Sequence, residues 1–281
     1  MRIKVVADST CDLSQELIEK YQIEIIPLYV TLDDKSYLDG IEIHAADIFR
    51  HVSAGGALPK TSAIPVATYA EVFERLLKEH DALICLTIGS KFSSCYQNAC
   101  IAANYNPRIS IVDSKNLSTG FGHVVLQAAI RARTDMTHAM IADLMELDVI
   151  PKVDASFIVD RLDYLHKGGR CSTIAALGAN LLKLKPCIAV QNGEMRVVKK
   201  YRGSFTNCVS QYVKDRLTES DRIRKDRIFI TYTQAEEEAL QAARDGVQAA
   251  GSFDEVAETV AGCTVSSHCG PNTLGVLFIY K

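Results

Sequence analysis

The sequence predicts a two-domain α/β fold. A mostly parallel N-terminal sheet with flanking helices is expected over residues 1–150, and a mixed α+β domain over residues 151–281. Three observations lead to this. Strand-like apolar runs alternate with helical segments through the first half. An Asn192-Gly193 pair, a strong hairpin signal, separates two apolar runs in the second half. The 281-residue length suits two cores better than one.

Ile3 to Ala7 is a short apolar strand, followed by Asp8-Ser9-Thr10. Asp12, with Gln15 three residues on, is expected to cap the first helix. Ile23 to Thr31 reads as a second strand, and Asp33-Asp34-Lys35 and Asp39-Gly40 as turns. Pro65 to His80 has the spacing of an amphipathic helix. Ala82 to Ile88 is a third strand, and a helix starts near Tyr96. Arg108 to Val112 is a fourth strand, with helices from about Thr119 and Thr137. In the second half, Ser156 to Val159 leads to a helix and Gly168-Gly169. Pro186 to Val190 and Met195 to Lys200 form the hairpin. A helix from about Phe205, a strand Arg227 to Thr233 and a helix from about Ala235 follow, then strands Val256 to Val260 and Leu274 to Tyr280.

Composition narrows the function. A net charge of -3 and the absence of a basic run argue against nucleic acid as a partner. No segment approaches the roughly 20 apolar residues needed to span a bilayer. The acid at Asp8 interrupts the N-terminus too early for a signal peptide. The nine cysteines include no C-x-x-C pair, and Cys85 and Cys187 sit in apolar runs, the pattern of buried thiols in a reducing cytoplasm. A phosphate-binding G-x-x-x-x-G-K, a G-x-G-x-x-G after the first strand and an H-E-x-x-H are all missing, so neither a nucleotide cofactor nor a catalytic metal is expected.

Small hydroxyls and glycines recur at strand ends: Asp8-Ser9-Thr10, Thr61-Ser62, Ser93-Ser94, Asp113-Ser114 and Ser118-Thr-Gly-Phe-Gly122. Ligands of open α/β sheets bind beyond the carboxyl ends of the strands, and hydroxyls there can donate to an anionic oxygen. Each is also a plausible helix cap or turn. Leu165-His-Lys-Gly-Gly-Arg-Cys-Ser172 places two glycines between Lys167 and Arg170, either an unusual backbone beside a ligand or a helix end with solvated cations. His268 falls in a Gly/Pro-rich stretch expected to be a turn before the last strand, a better place for a site than for a core histidine. A hydrolase could be assembled from Ser93, His268 and Asp113, although the nucleophile elbow G-x-S-x-G is absent.

Together these motifs resemble the DegV family of bacterial fatty-acid-binding proteins from end to end. Asp8-Ser9-Thr10 is similar to the family's opening D-S-T, and Thr61-Ser62 to its T-S. Ser90-Lys-Phe-Ser93-Ser-Cys-Tyr-Gln97 is similar to S-x-L-S-G-T-Y-Q, and Tyr164-Leu-His-Lys-Gly-Gly-Arg170-Cys-Ser172 to Y-L-x-K-G-G-R-I-S. Pro27-Leu28, Tyr37-Leu-Asp-Gly40, Asp113-Ser114, Ser118-x-Gly120-x-Gly122, Lys185-Pro186, Arg202-Gly203 and His268-x-Gly-Pro271 complete the order. Departures are Ala63-Ile64-Pro65 after the T-S, Ser94-Cys95 where the family has G-T, and Asn272 in place of a glycine.

The resemblance implies a two-domain, DegV-like fold holding a long-chain fatty acid in a cleft between the domains or within them. It implies a carboxylate bound by Thr61, Ser62, Ser93, Arg170 and His268, with Ser94, Ser118, Lys167, Gly169 and Arg202 supporting the site or facing a partner. The resemblance further implies that this partner is a separate ATP-dependent fatty acid kinase, which would make an acyl-phosphate for phospholipid synthesis. The chain would then be a cytoplasmic, monomeric lipid-binding subunit rather than an enzyme, with transient membrane contact. The alternatives are a small-ketone-binding or kinase-like enzyme related to the substrate domain of dihydroxyacetone kinases, a lipid hydrolase using Ser93, and a storage or sensing module without a kinase.

Overall fold

The computed structural model describes residues 1–171 and 184–281. Ser172 of the basic glycine motif lies outside them. The first sheet contains β1 (Ile3–Asp8), β2 (Glu24–Ile26), β6 (Ala82–Thr87) and β7 (Ile109–Asp113), in the order β2-β1-β6-β7 and all parallel. Strands buried on both faces need apolar residues on both. Val6, Leu83 and Cys85 pack on α3 (Val66–Leu77) and α4 (Cys95–Ala103). The alternate residues Val5, Ala7, Ile84 and Leu86 face α1 (Gln15–Tyr21), α5 (Ser118–Arg131) and α6 (His138–Leu144).

The second sheet is mixed, in the order β10-β9-β8-β13-β11-β12. It is built from β8 (Val153–Val159), β9 (Leu184–Gln191), β10 (Glu194–Arg202), β11 (Ile228–Tyr232), β12 (Val256–Val260) and β13 (Thr273–Ile279). Its one parallel pair is β11 with β12. Asn192 and Gly193 join β9 to β10 with φ of 53° and 76°, as a type I′ hairpin turn requires. One face packs on α8 (Phe205–Arg216) and α9 (Glu237–Ala249). From the other, Ala155, Phe229 and Leu277 reach the core around α5. Helix α5 therefore lies between the two sheets, which explains why Ser118 through Ala129 are all buried.

A third, antiparallel sheet corrects the second expected strand. The run from Ile23 to Thr31 divides at Pro27 into β2 and β3 (Tyr29–Leu32). Proline cannot donate to a ladder. Strand β3 instead pairs with β4 (Lys35–Leu38) and β5 (Lys60–Ser62). Asp12 does not cap α1 either. Ser14 does, accepting from Leu17 N at 3.3 Å. Asp12 adopts φ 50° and turns its carboxylate to Gly262 N, at 2.9 Å, and Ser118 Oγ, at 2.6 Å.

Gly262 precedes a helix that sequence periodicity did not reveal, α10 (Cys263–Cys269). Asp39 caps it as well, accepting from Cys263 N at 2.8 Å and Thr264 N at 3.1 Å. His268 therefore stands in the last turn of a helix, not in the expected turn. The helix α2 (Ala45–Ser53) packs nearby, with Ile48, Phe49 and Cys263 in one cluster. Among the described residues, no helix is long and apolar enough to cross a membrane.

Burial raises the Asp12 carboxyl to about 8, and the neighbouring Asp39 and Asp8 add to the effect. Burial likewise raises Asp8 to about 6. A carboxyl whose folded pKa exceeds its unfolded value binds more protons in the folded state. Its contribution to stability is complete below about pH 4 and is lost as pH rises through the folded value. Buried His123 and His268, both lowered to about 4, add stability as pH rises to about 6.5, so the urea midpoint is expected to fall between pH 6.5 and pH 8, with a shallower fall in Asp12→Asn. An identical slope in wild type and variant would rule this out.

Candidate functional site

Four separate stretches of chain meet at one cavity. Strand β5 supplies Thr61 and Ser62, and the start of α4 supplies Ser93 and Ser94. Arg170 comes just after α7 (Asp163–Gly168), and His268 comes from α10. Most of the remaining wall is apolar, including Leu28, Ile88, Phe92, Leu117, Met195 and Val265. The cavity has a volume of about 130 Å³. A smaller one of about 30 Å³ shares Leu117, Val265 and Cys269 with it and lies against the mixed sheet.

Antiparallel pairing of β5 with β3 places Thr61 opposite Val30 and directs it to α10. Thr61 Oγ1 and His268 Nε2 are 2.8 Å apart. Burial, and then the charge of Arg170, lower His268 to about 4, so its ring is neutral at pH 7. A neutral imidazole has one N–H. If that N–H donates to Thr61, the threonine hydroxyl keeps its own proton for a ligand. If Thr61 donates to Nε2, the proton sits on Nδ1, which has no partner among the described residues. In both tautomers the pair retains one unused donor, on Thr61 Oγ1 or on Nδ1, and Nδ1 is the nitrogen that lies against Gly168.

Ser93 and Ser94 open α4. Ser93 Oγ accepts from Cys95 N at 3.3 Å and lies 3.2 Å from Cys95 Sγ. A helix N-terminus favours nearby negative charge. Arg170 is exposed, and its guanidinium donates to Gly168 O at 2.8 Å. This bond folds the arginine back over the end of α7. Gly168 also sets the position of His268, because a Cβ there would lie 2.5 Å from His268 Nδ1. The sequence shows the glycine doublet but not this role, which depends on the approach of His268 in the fold. Gly169 is the exposed residue after α7, with φ +66° and open space around it.

The other expected site residues lie elsewhere. Ser118 is buried at the start of α5, bonded to Asp12, and lines the smaller cavity rather than the larger one. Lys167 faces a separate surface groove between α2 and α7, and Arg202 is exposed at the end of β10. Asp8-Ser9-Thr10 is a brace rather than a ligand loop. Asp8 accepts from Thr10 N at 3.1 Å and Ile88 N at 2.7 Å, while Ser9 Oγ donates to Asp39 at 3.2 Å. Asp113 accepts from Ser90 N at 3.0 Å and Lys115 N at 2.9 Å, and Ser114 Oγ donates to Asn116 O at 3.1 Å. Ser93, His268 and Asp113 thus form no hydrogen-bonded triad, since His268 pairs with Thr61 and Asp113 with the Ser90 loop. Among the described residues no cluster of His, Cys, Asp or Glu is arranged to hold a metal ion.

Comparison with known proteins places this architecture. The sequence matches the family described as "Uncharacterised protein, DegV family" over residues 2–281. It is 32% identical to a DegV domain-containing protein of Caldanaerobacter subterraneus, covering 100% of this chain and 99% of the relative. The fold superposes on a fatty-acid-binding DegV family protein of Thermus thermophilus with a TM-score of 0.87, 31% identity and full coverage of both chains. A stearic acid-binding protein of Eubacterium ventriosum superposes with a TM-score of 0.84 at 26% identity, covering 99% of this chain and 98% of that one. With the family match spanning nearly the whole chain, this protein belongs to the DegV family.

Proposed function

We propose that the chain binds a long-chain fatty acid and presents its carboxylate to a separate ATP-dependent kinase. The observation that carries this reading is the convergence of Thr61, Ser62, Ser93, Arg170 and His268 on one cavity whose remaining wall is mostly apolar. The carboxylate meets these five residues at the mouth, and the acyl chain runs inward between the 1–150 and 151–281 halves. The relatives named for binding fatty acids support the same ligand class.

The energetics fit. A chain of palmitate length has about 14 methylenes, and at ~0.8 kcal/mol each their burial contributes about 11 kcal/mol before ordering costs. The carboxylate is the difficult end, since burying it unpaired costs several kcal/mol. The hydroxyls of Thr61, Ser62 and Ser93, the neutral His268 and the Arg170 charge keep it ionised. A carboxylate oxygen then attacks the γ-phosphorus of ATP held by the kinase, and ADP leaves. The kinase supplies the metal and the phosphate electrostatics, and this chain supplies position. Lys167 and Arg202, both exposed cations, are assigned to the kinase encounter, with Ser94 at the rim of the cavity.

Native mass spectrometry followed by organic extraction tests the binding step. A stoichiometric fatty acid is the expected result, and a protein that is empty and takes up neither palmitate nor oleate would sink it. Arg170→Ala is expected to weaken fatty-acid binding about tenfold, a loss typical of one charge-assisted hydrogen bond. It should also abolish acyl-phosphate formation in a mixture reconstituted with the kinase. Binding and phosphorylation both at wild-type levels would remove Arg170 from the site.

A further inference from the structure

Helix α10 brings a second polar group to the cavity, one turn before His268. Thr264 lines the cavity and is 5% exposed, and its Oγ1 is buried without a hydrogen-bond partner among the described residues. The other hydroxyls of this helix are satisfied. Ser266 Oγ donates to Ala261 O at 3.1 Å, and Ser267 Oγ donates to Cys263 O at 2.7 Å. Thr264 is also held in place, because Asp39 accepts its backbone N–H at 3.1 Å. A buried hydroxyl without a partner is unfavourable and calls for an explanation.

Geometry suggests what would satisfy it. Residues four apart share a helix face and are separated by about 6 Å along the axis. An extended chain covers roughly 1.2 Å per bond. An acyl chain with its carboxylate at His268, running inward along α10, therefore passes Thr264 about five bonds in. Apart from the carboxylate-binding residues and Ser94, the cavity wall is otherwise largely apolar, with Leu28, Ile88, Leu117 and Val265. We propose that Thr264 is a specificity-determining residue, and that the cavity takes a fatty acid bearing a hydroxyl near the carboxylate, on about the third to sixth carbon. The inference rests on the fatty-acid reading above and adds the substituent.

Displacement of a fluorescent fatty acid from the full chain tests it, with palmitate, 3-hydroxypalmitate, 5-hydroxypalmitate and 16-hydroxypalmitate as competitors. One of the two near-hydroxyl acids should bind about threefold to tenfold more tightly than palmitate, the range of one neutral hydrogen bond. The 16-hydroxy acid should show no gain. Thr264→Val should lose the preference while still binding palmitate, and Thr264→Ser should keep it. Equal wild-type affinity for all four acids overturns this inference but leaves the lipid-binding reading intact. A preference that survives in Thr264→Val overturns it too, as does equal weakening of every acid in that variant. Failure of the wild-type chain to bind any of them overturns the lipid-binding reading itself.

Discussion

Asp39→Ala is expected to destabilise the protein by about 3 kcal/mol, combining the loss of a helix cap with buried N–H groups left unpaired. Asp39 accepts from Cys263 N, Thr264 N and Ser9 Oγ, and it is 4% exposed, so water cannot easily replace it. With net stabilities typically about 5–15 kcal/mol, this is a large fraction of the total. The effect should extend to binding. Helix α10 carries Thr264, Val265, His268 and Cys269 to the cavity, so loosening its first turn displaces one wall. Asp39→Asn should fall between the two, because one amide oxygen remains while the NH₂ group faces a backbone donor. Chemical unfolding and fatty-acid titration check both effects, and a change under about 0.5 kcal/mol would show that α10 holds without this cap.

Gly168→Ala should reduce fatty-acid affinity about tenfold to a hundredfold, or about 1.4–2.8 kcal/mol, with a smaller cost in stability. The added methyl would sit 2.5 Å from His268 Nδ1, so the imidazole must move and the 2.8 Å contact with Thr61 is lost. Gly169→Ala supplies the contrast. There the backbone is left-handed, at φ +66°, but nothing lies within 4 Å. That variant should cost about 1 kcal/mol of stability and leave binding unchanged. Equal losses of affinity in the two variants would mean that the loop as a whole matters, rather than the contact with His268.

How much of this was legible in the sequence varied by element. Where local chemistry decides, the expectation agreed with the fold. Three of the four parallel strands, β1, β6 and β7, appeared as apolar runs because both faces of that sheet are covered. The Asn192-Gly193 hairpin appeared because few other residues accept two successive positive φ angles. The resemblance to the DegV family named Thr61, Ser62, Ser93, Arg170 and His268, which come from four parts of the chain and line one cavity.

Long-range contacts decided the rest. Cys263-Thr-Val-Ser-Ser-His-Cys269 has weak helix propensity and reads locally as part of a turn. It is helical because Asp12 and Asp39, more than 200 residues earlier, cap it. Asp12 has the sequence context of a local cap, yet its carboxylate serves that distant helix. Gly168 and Gly169 are adjacent and chemically identical, and only the approach of His268 separates their roles. The sequence alone determined the family, the strands whose burial shows in their apolar runs, and the hydroxyl and basic segments that could hold a carboxylate. Which of those groups face one cavity, which merely brace it, and which glycine sets the histidine were decided by the tertiary structure, because each depends on contacts between residues far apart in the chain.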